Sequence, residues 1–225
     1  MLDGLRESGA LPRSELRLAR AAVLAERARI ALERGQGSAA FEYARQADRL
    51  RPNWVPSLLL AGRALALQDR PREAASLIEK AWIISPHPQL GALYLSLKTG
   101  KSEARKAQSA EHLAKRSGNN PISRMLVAEA LLKAGILAQA RYTAKELAKE
   151  YPSADTYGLM ARIEQADHQP AEAQIWRDRA AAAPPSEAWL CTSCRQPHKN
   201  WQATCSACKG FNTLVWEKPP VLIGQ

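Results

Sequence analysis

The chain of 225 residues is 46% hydrophobic and 24% charged, a balance that excludes an intrinsically disordered protein. Its formal net charge of +10 fits contact with nucleic acid, an anionic membrane surface or an acidic protein, and specifies none of them. The longest apolar stretch, Val55 to Leu67, is too short to span a bilayer and contains Arg63. We therefore expect a soluble chain with no transmembrane segment.

Residues 1–13 carry little pattern, and we interpret them as an N-terminal cap or an artificial chain boundary. Residues 14–183 repeat a pair of helices at a period near 34, which is typical of tetratricopeptide repeats. An alanine near the start of each second helix marks the units, at Ala40, Ala74, Ala104, Ala140 and Ala173. Their spacings are 34, 30, 36 and 33, so we expect an irregular third unit. Turns within the pairs are predicted near Gly35, Asp69, Gly100, Gly135 and His168.

The concave groove of such repeats is lined by the ninth residue of each first helix. In that register the partner-binding residues are predicted to be Arg29, Arg63, Glu129 and Arg162. Three arginines in one groove suit a carboxylate-bearing ligand, so we expect a protein partner with an acidic or C-terminal segment.

Positive charge is concentrated between Lys98 and Lys149, where eleven Lys and Arg face four Glu. Arg141, Lys145 and Lys149 recur at every fourth position and so share one helix face. This face is either an ordinary solvated surface or a contact for an anionic membrane or an acidic protein. Nucleic acid is disfavoured as a partner because few aromatic residues are interleaved with the charges.

The four cysteines of the chain follow a short linker at residues 184–188. They form two CxxC pairs separated by ten residues: Cys191, Cys194, Cys205 and Cys208. Such spacing is typical of a zinc ribbon, because two tight turns can direct four thiolates at one ion. We predict the ribbon over residues 189–216, with Trp189, Trp201, Phe211 and Trp216 around it, and a flexible tail over residues 217–225.

Other uses of the cysteines fit less well. Two disulfides need an oxidising compartment, and a thioredoxin-like pair needs a βαβ setting that the sequence does not predict. Arg195 and Lys209 follow the pairs, where covalent haem attachment needs histidine. Zinc is favoured over iron because a closed four-thiolate site suits it without a redox role. We place His198 in a loop and do not count it as a ligand.

No catalytic constellation is found in the sequence. The glycines Gly35 and Gly37 follow no predicted strand, so they indicate a turn between helices and not a nucleotide site. The sequence thus predicts an all-α protein, a tetratricopeptide-like α-solenoid followed by a small C-terminal zinc ribbon, that acts as a non-enzymatic scaffold. The alternative from another class is a metal-dependent redox module that uses the four cysteines.

Two segments of the chain resemble a known family. The run Trp82 to Leu90, with its Pro86-His87-Pro88 centre, and the segment Leu159 to Glu164 are similar to the HemY-like tetratricopeptide proteins. Some members end in a paired-CxxC ribbon followed by tryptophan, as Trp216 follows here. The resemblance implies a scaffold beside membrane-bound enzymes of haem biosynthesis, in the cytoplasm or at the inner face of the inner membrane.

The lipopolysaccharide assembly protein B family has a similar architecture. Its members also join tetratricopeptide repeats to a C-terminal rubredoxin-like module with the cysteine spacing seen here. That resemblance implies, as an alternative, an adaptor that regulates lipopolysaccharide assembly through a membrane protease.

Overall fold

A computed structural model describes residues 12–219. The predicted cap lies outside the described residues except for residues 12 and 13, and the predicted tail does so except for residues 217–219. Within the described part the chain forms ten helices and then three short strands. The helices are α1 (Arg13–Glu33), α2 (Gly37–Leu50), α3 (Val55–Leu67), α4 (Pro71–Ile84), α5 (Pro88–Ser96), α6 (Glu103–Ala114), α7 (Pro121–Lys133), α8 (Leu137–Glu150), α9 (Ala154–Ala166) and α10 (Pro170–Ala182). The strands are β1 (Ala188–Cys191), β2 (Pro197–His198) and β3 (Leu214–Glu217).

The predicted repeat of paired helices is confirmed, and the turns within the pairs share one backbone feature. All five predicted turns contain a residue in the left-handed backbone region, namely Gly35, Asp69, Gly100, Gly135 and His168, with φ between 56° and 71°. In the first turn the N–H of Gln36 donates to the carbonyl of Ala31 at 2.9 Å. Such bonds satisfy carbonyls that the helix end leaves without a partner, so they stop the first helix and start the second.

The alanine register of the third unit differs from the prediction. Ala40, Ala74, Ala140 and Ala173 are fully buried, whereas Ala104 is exposed. The buried equivalent in α6 is Ala107, at 2% exposure, and the spacings become 34, 33, 33 and 33. The third unit is therefore regular in its buried position, because the close approach of paired helices requires a small side chain there.

The first compact unit of the described chain contains helices α1 to α4 together with residues 189–215, here called the cysteine ribbon. The strands form a sheet in the order β2-β1-β3, and β1 pairs antiparallel with β2 through Trp189 opposite His198. Trp201 of the ribbon meets Trp54, at the start of α3, in an edge-to-face contact with ring centroids 4.8 Å apart. The guanidinium of Arg51 lies 4.7 Å from the centre of the Trp54 ring. This aromatic contact joins the ribbon to the helices of its own unit.

The second compact unit contains helices α5 to α10 and the described residues from 216 onward. The linker after α10 is held against α9. The N–H of Ala154 donates to the carbonyl of Pro184 at 3.3 Å, and the N–H of Asp155 donates to the hydroxyl of Ser186 at 3.1 Å. These bonds satisfy backbone donors at the start of α9.

Candidate functional site

The two CxxC turns of the ribbon have the same backbone geometry. The N–H of Arg195 donates to the carbonyl of Cys191, and the N–H of Lys209 donates to the carbonyl of Cys205, both at 2.9 Å. Each turn folds its two thiols to one side, and the strand pairing brings both turns to a common centre. All four cysteine Sγ atoms lie within 4.8 Å of one another.

The thiol cluster fits a tetrahedral metal ion. Sγ of Cys191 and Cys208 are 3.6 Å apart, and Sγ of Cys194 and Cys205 are 3.7 Å apart. Zinc–sulfur bonds of about 2.3 Å give tetrahedral edges of about 3.8 Å, whereas a disulfide requires about 2.05 Å. The donor set and these two separations therefore fit a tetrahedral site of four thiolates.

Hydrogen bonds favour the thiolate form of Cys191, whereas desolvation and the hydrogen bonds with the other three cysteines raise the pKa of Cys194 to about 11. The Thr213 hydroxyl, 3.2 Å from Sγ of Cys191, and next the backbone N–H of Cys194 lower the pKa of the Cys191 thiol to about 5. The N–H of Gly210 donates to Sγ of Cys208 at 3.4 Å. Sequence reasoning missed Thr213, because its distance along the chain from Cys191 gives no local signal.

The position predicted for His198 is wrong. The residue lies on β2, and its Nε2 is 3.3 Å from Sγ of Cys205. Its Nδ1 is 3.1 Å from the side-chain amide nitrogen of Gln202. When that amide donates to Nδ1, the proton of the neutral imidazole is on Nε2 and is directed at the Cys205 sulfur. In that tautomer His198 donates a hydrogen bond to a cysteine of the cluster from outside the four-sulfur shell.

The aromatic residues predicted around the cluster lie in three different environments. Trp189 and Trp201 are buried in the ribbon, at 3% and 9% exposure. Phe211 is 44% exposed. Trp216 belongs to the second unit, where its ring lies against His87 with centroids 4.3 Å apart and its indole N–H donates to Glu187 at 3.0 Å.

The four residues predicted to line a binding groove are distributed over both units. In the first unit Arg29 is paired with Glu26 and Glu33 of its own helix, while Arg63 is exposed. In the second unit Arg162 on α9 is paired with Glu129 on α7 at 2.7 Å. A carboxylate ligand would have to compete with these carboxylates for Arg29 and Arg162.

The three residues of the predicted basic face have different surroundings. Arg141 donates to both oxygens of buried Glu164, at 2.9 and 3.0 Å, and also to Asp167. These bonds raise the pKa of Arg141 and tie α8 to α9. Lys149 pairs with Glu146 at 2.6 Å, and Lys145 is exposed. Arg141 therefore has a structural role in joining neighbouring repeats.

A cleft of about 1060 Å³ lies within the second unit. Its apolar lining comes from α5, α7 and the end of α8, and includes Ala92, Leu95, Ile122, Met125 and Tyr151. Trp216 and Lys218 also contribute to the lining. Five carboxylates and three amines surround the apolar part: Glu103, Glu129, Glu150, Asp155 and Glu187, with Lys106, Lys133 and Lys218. The cleft is large enough for a short peptide segment and offers it an apolar surface with more acidic than basic groups.

His87, which contacts the cleft residue Trp216, makes the second unit sensitive to acid. The side chain is 3% exposed, and its Nδ1 accepts the N–H of Gln89 at the start of α5. Burial lowers the pKa of His87 to about 4 in the folded chain, from about 6.5 when it is exposed. The unfolded chain therefore binds the proton more tightly. The contribution of neutral His87 to the free energy of unfolding is present in full above pH 6.5. It is lost as the pH falls from 6.5 to 4, and the loss is about 3 kcal/mol at pH 4 and below.

We expect His87→Asn to reduce this pH dependence, because asparagine keeps an acceptor for the N–H of Gln89 but does not titrate. Between pH 7.5 and pH 5 the native chain should lose about 2 kcal/mol more than the variant, measured by urea unfolding. His112→Asn, on the exposed face of α6, is the matched control. Equal losses for the native chain and the His87 variant would contradict the assignment.

These features define a tetratricopeptide-like repeat protein with a cysteine-rich end. Its helices are paired through turns that contain a residue with positive φ, and it has an apolar cleft and a four-thiol cluster. Among the described residues, none of the helices combines the length and the apolar character needed to cross a membrane.

No protein-family model matches the chain. A curated relative, probable magnetosome protein Mms48 of Magnetospirillum gryphiswaldense, is 28% identical over 192 residues, which cover 84% of this chain and 43% of the relative. The chain thus spans less than half the length of that relative.

Two solved structures are similar at low identity. MamA from residue 41 onward, from Desulfovibrio magneticus RS-1, is 14% identical, with 72% of this chain and 94% of that chain covered and a TM-score of 0.44. YrrB, described as a TPR protein with an unusual peptide-binding site, is 15% identical, with coverages of 69% and 81% and a TM-score of 0.42. We assign the repeat fold from the helix pairs of this chain itself and not from these similarities.

Proposed function

We propose that this protein is a non-catalytic scaffold that holds a segment of a partner protein in the cleft of its second unit. The cleft is the observation that carries the proposal. Its apolar lining comes from three helices and can bury apolar side chains of an extended or helical segment. The binding energy would come from that burial, at roughly 25 cal/mol per Å² of apolar surface.

The charges around the cleft favour a particular kind of segment. Five carboxylates and three amines line the cleft. A segment of apolar residues flanked by a basic residue therefore suits the cleft better than an acidic segment does. Glu103, Glu129 and Glu150 are already paired with Lys106, Arg162 and Arg124. Asp155 at the start of α9 and Glu187 in the linker, which accepts the indole N–H of Trp216, lie outside these ion pairs, and we assign both carboxylates to contact with the partner.

The cysteine ribbon serves this scaffold as a domain folded by a structural zinc ion. Four thiolates in a closed shell leave no position open for chemistry, and a closed four-thiolate shell without a redox role suits zinc. The competing redox function would require iron. A colourless protein with one zinc per chain supports the scaffold, and a reversible visible spectrum from bound iron supports the redox module.

The cellular setting is proposed from resemblance. The Trp82 to Leu90 run supports association with membrane-bound enzymes of haem biosynthesis, from the cytoplasmic side of the inner membrane. The spacing of the cysteines supports, as an alternative, an adaptor in lipopolysaccharide assembly. The similarity to a probable magnetosome protein supports, as a third setting, a role in a magnetosome. The first two settings place the partner at a membrane.

The cleft is tested by filling it. Ala92 is exposed and lines the cleft, so Ala92→Trp should block it without disturbing the core. Ala138→Trp, exposed on α8 and outside the cleft lining, is the matched control. Both variants and the native chain are used to retain proteins from the native membrane fraction, with mass spectrometry of what is bound. A partner retained by the native chain and the control but lost with Ala92→Trp supports the proposal. Equal retention by all three proteins overturns it.

A further inference from the structure

The chain that leaves β3 forms part of the wall of the cleft in the second unit. Trp216 and Lys218 both line that cleft. We propose that the apolar residues that follow, Val221 to Ile223, occupy the cleft of their own chain and compete there with the partner segment. These three residues lie outside the described part of the chain. The proposal rests on the function assigned to the cleft above and adds a means of regulating it.

The contacts of Trp216 hold the chain at one end of the cleft. Its indole N–H donates to Glu187 at 3.0 Å, and its ring lies against His87 with centroids 4.3 Å apart. His87 directly precedes α5, which lines the cleft from its first residue to its last. All of these residues belong to the second unit. The segment after Lys218 therefore starts beside the cleft and needs no long linker to enter it.

The reach of the segment matches the length of the apolar wall. An extended chain spans about 3.3 Å per residue, so Ile223 can lie up to about 16 Å from Lys218. The part of α5 that lines the cleft, Pro88 to Ser96, is about 12 Å long at 1.5 Å per residue. The three apolar residues of the segment can therefore reach any part of this wall.

The composition of the segment suits the lining of the cleft. Residues 218–223 read Lys-Pro-Pro-Val-Leu-Ile, so a basic residue precedes an uncharged apolar run. The cleft favours a segment of this kind, because its wall is apolar and carries more acidic than basic groups. The two prolines restrict the backbone conformations open to the chain between Lys218 and Val221. This restriction lowers the conformational entropy that is lost on docking.

Tethering favours the segment of the same chain over that of a second copy. A short tether gives an effective concentration of about 1 mM, which a second chain would have to reach in solution to compete equally. A partner must also displace the tethered segment before it binds. The cleft is therefore closed to weakly binding segments and open to those that bind tightly.

The test uses the full chain and a fluorescein-labelled peptide of residues 218–223. The double variant Leu222→Asp with Ile223→Asp places two charges in the apolar run and should free the cleft. For a peptide with a Kd of about 0.1 mM for the free cleft, the native chain should bind about tenfold more weakly than the variant, measured by fluorescence anisotropy. Adding Ala92→Trp to the double variant should abolish this binding, because the new side chain fills the cleft.

The matched control changes two exposed apolar neighbours of the first unit. Ile83 and Ile84 are 57% and 64% exposed, and Ile83→Asp with Ile84→Asp should leave peptide binding at the native level. Retention of a partner from the membrane fraction, lost with Ala92→Trp, tests the proposed function of the cleft separately from its regulation.

Three results would overturn the proposal. Equal peptide binding by the native chain and the double aspartate variant would show that the tethered segment does not occupy the cleft. Failure of the peptide to bind the double variant would exclude this sequence as an occupant, even where a partner is retained through the cleft. Self-association of the native chain in analytical ultracentrifugation that the double variant loses would show that the segment binds a second copy instead.

Discussion

Replacing Cys205 with serine is expected to release the zinc ion that we propose and to unfold the cysteine ribbon, while helices α1 to α10 stay folded. Cys205 is buried, and its Sγ is 3.7 Å from that of Cys194 and 3.3 Å from Nε2 of His198. A segment of roughly 30 residues buries too little apolar surface to fold alone, so the proposed metal would supply most of its stability. Structural zinc contributes about 10–16 kcal/mol of apparent binding energy in small domains at pH 7.

The measurements are zinc content by elemental analysis, limited proteolysis of the ribbon and far-ultraviolet circular dichroism of the helices. Ser206→Ala, in the same turn and exposed, is the matched control and should keep one zinc per chain. A strong chelator added to the native chain should reproduce the proteolysis pattern of the cysteine variant. A Cys205→Ser chain that keeps stoichiometric zinc and a protease-resistant ribbon would contradict the assignment of a structural metal.

Replacing Trp54 with alanine is expected to destabilise the first unit by about 3–5 kcal/mol, the range for removing a large buried aromatic side chain. Trp54 is 6% exposed and contacts both the Trp201 ring and the Arg51 guanidinium. The substitution leaves a cavity where the ribbon meets the helices of its unit. The edge-to-face contact with Trp201 accounts for about 0.5–1.5 kcal/mol of the loss beyond buried area.

A double-mutant cycle measures that contact. Trp54→Ala, Trp201→Ala and the double variant are compared by urea unfolding, and the effects of the single variants should not add, because the two rings touch. Trp54→Phe keeps an aromatic ring and should cost less than alanine does. Strict additivity of the two alanine variants would show that the two rings contribute to stability independently.

The sequence by itself determined the features that depend on neighbouring residues. The period of apolar and small residues predicted the paired helices, and residues that tolerate positive φ marked all five turns within the pairs. The CxxC spacing marks the four cysteines as one set, because each such turn closes through a hydrogen bond between residues four apart. The structure brings together the Sγ atoms of Cys191, Cys194, Cys205 and Cys208. These are short-range constraints, so one sequence without coordinates is enough to reveal them.

Tertiary structure alone decided the features that depend on residues distant along the chain. Ala107 replaced Ala104 as the buried alanine because Ala107 lies on the buried face of α6, whereas Ala104, three residues earlier, is exposed. Arg141 turned from a surface charge into a link between α8 and α9 because Glu164 lies opposite it. Thr213 and His198 reach the cysteines only when β1 has paired with its neighbours in the sheet. Such contacts form when the hydrophobic faces of separate segments are buried together, and chain order does not specify which side chains then meet.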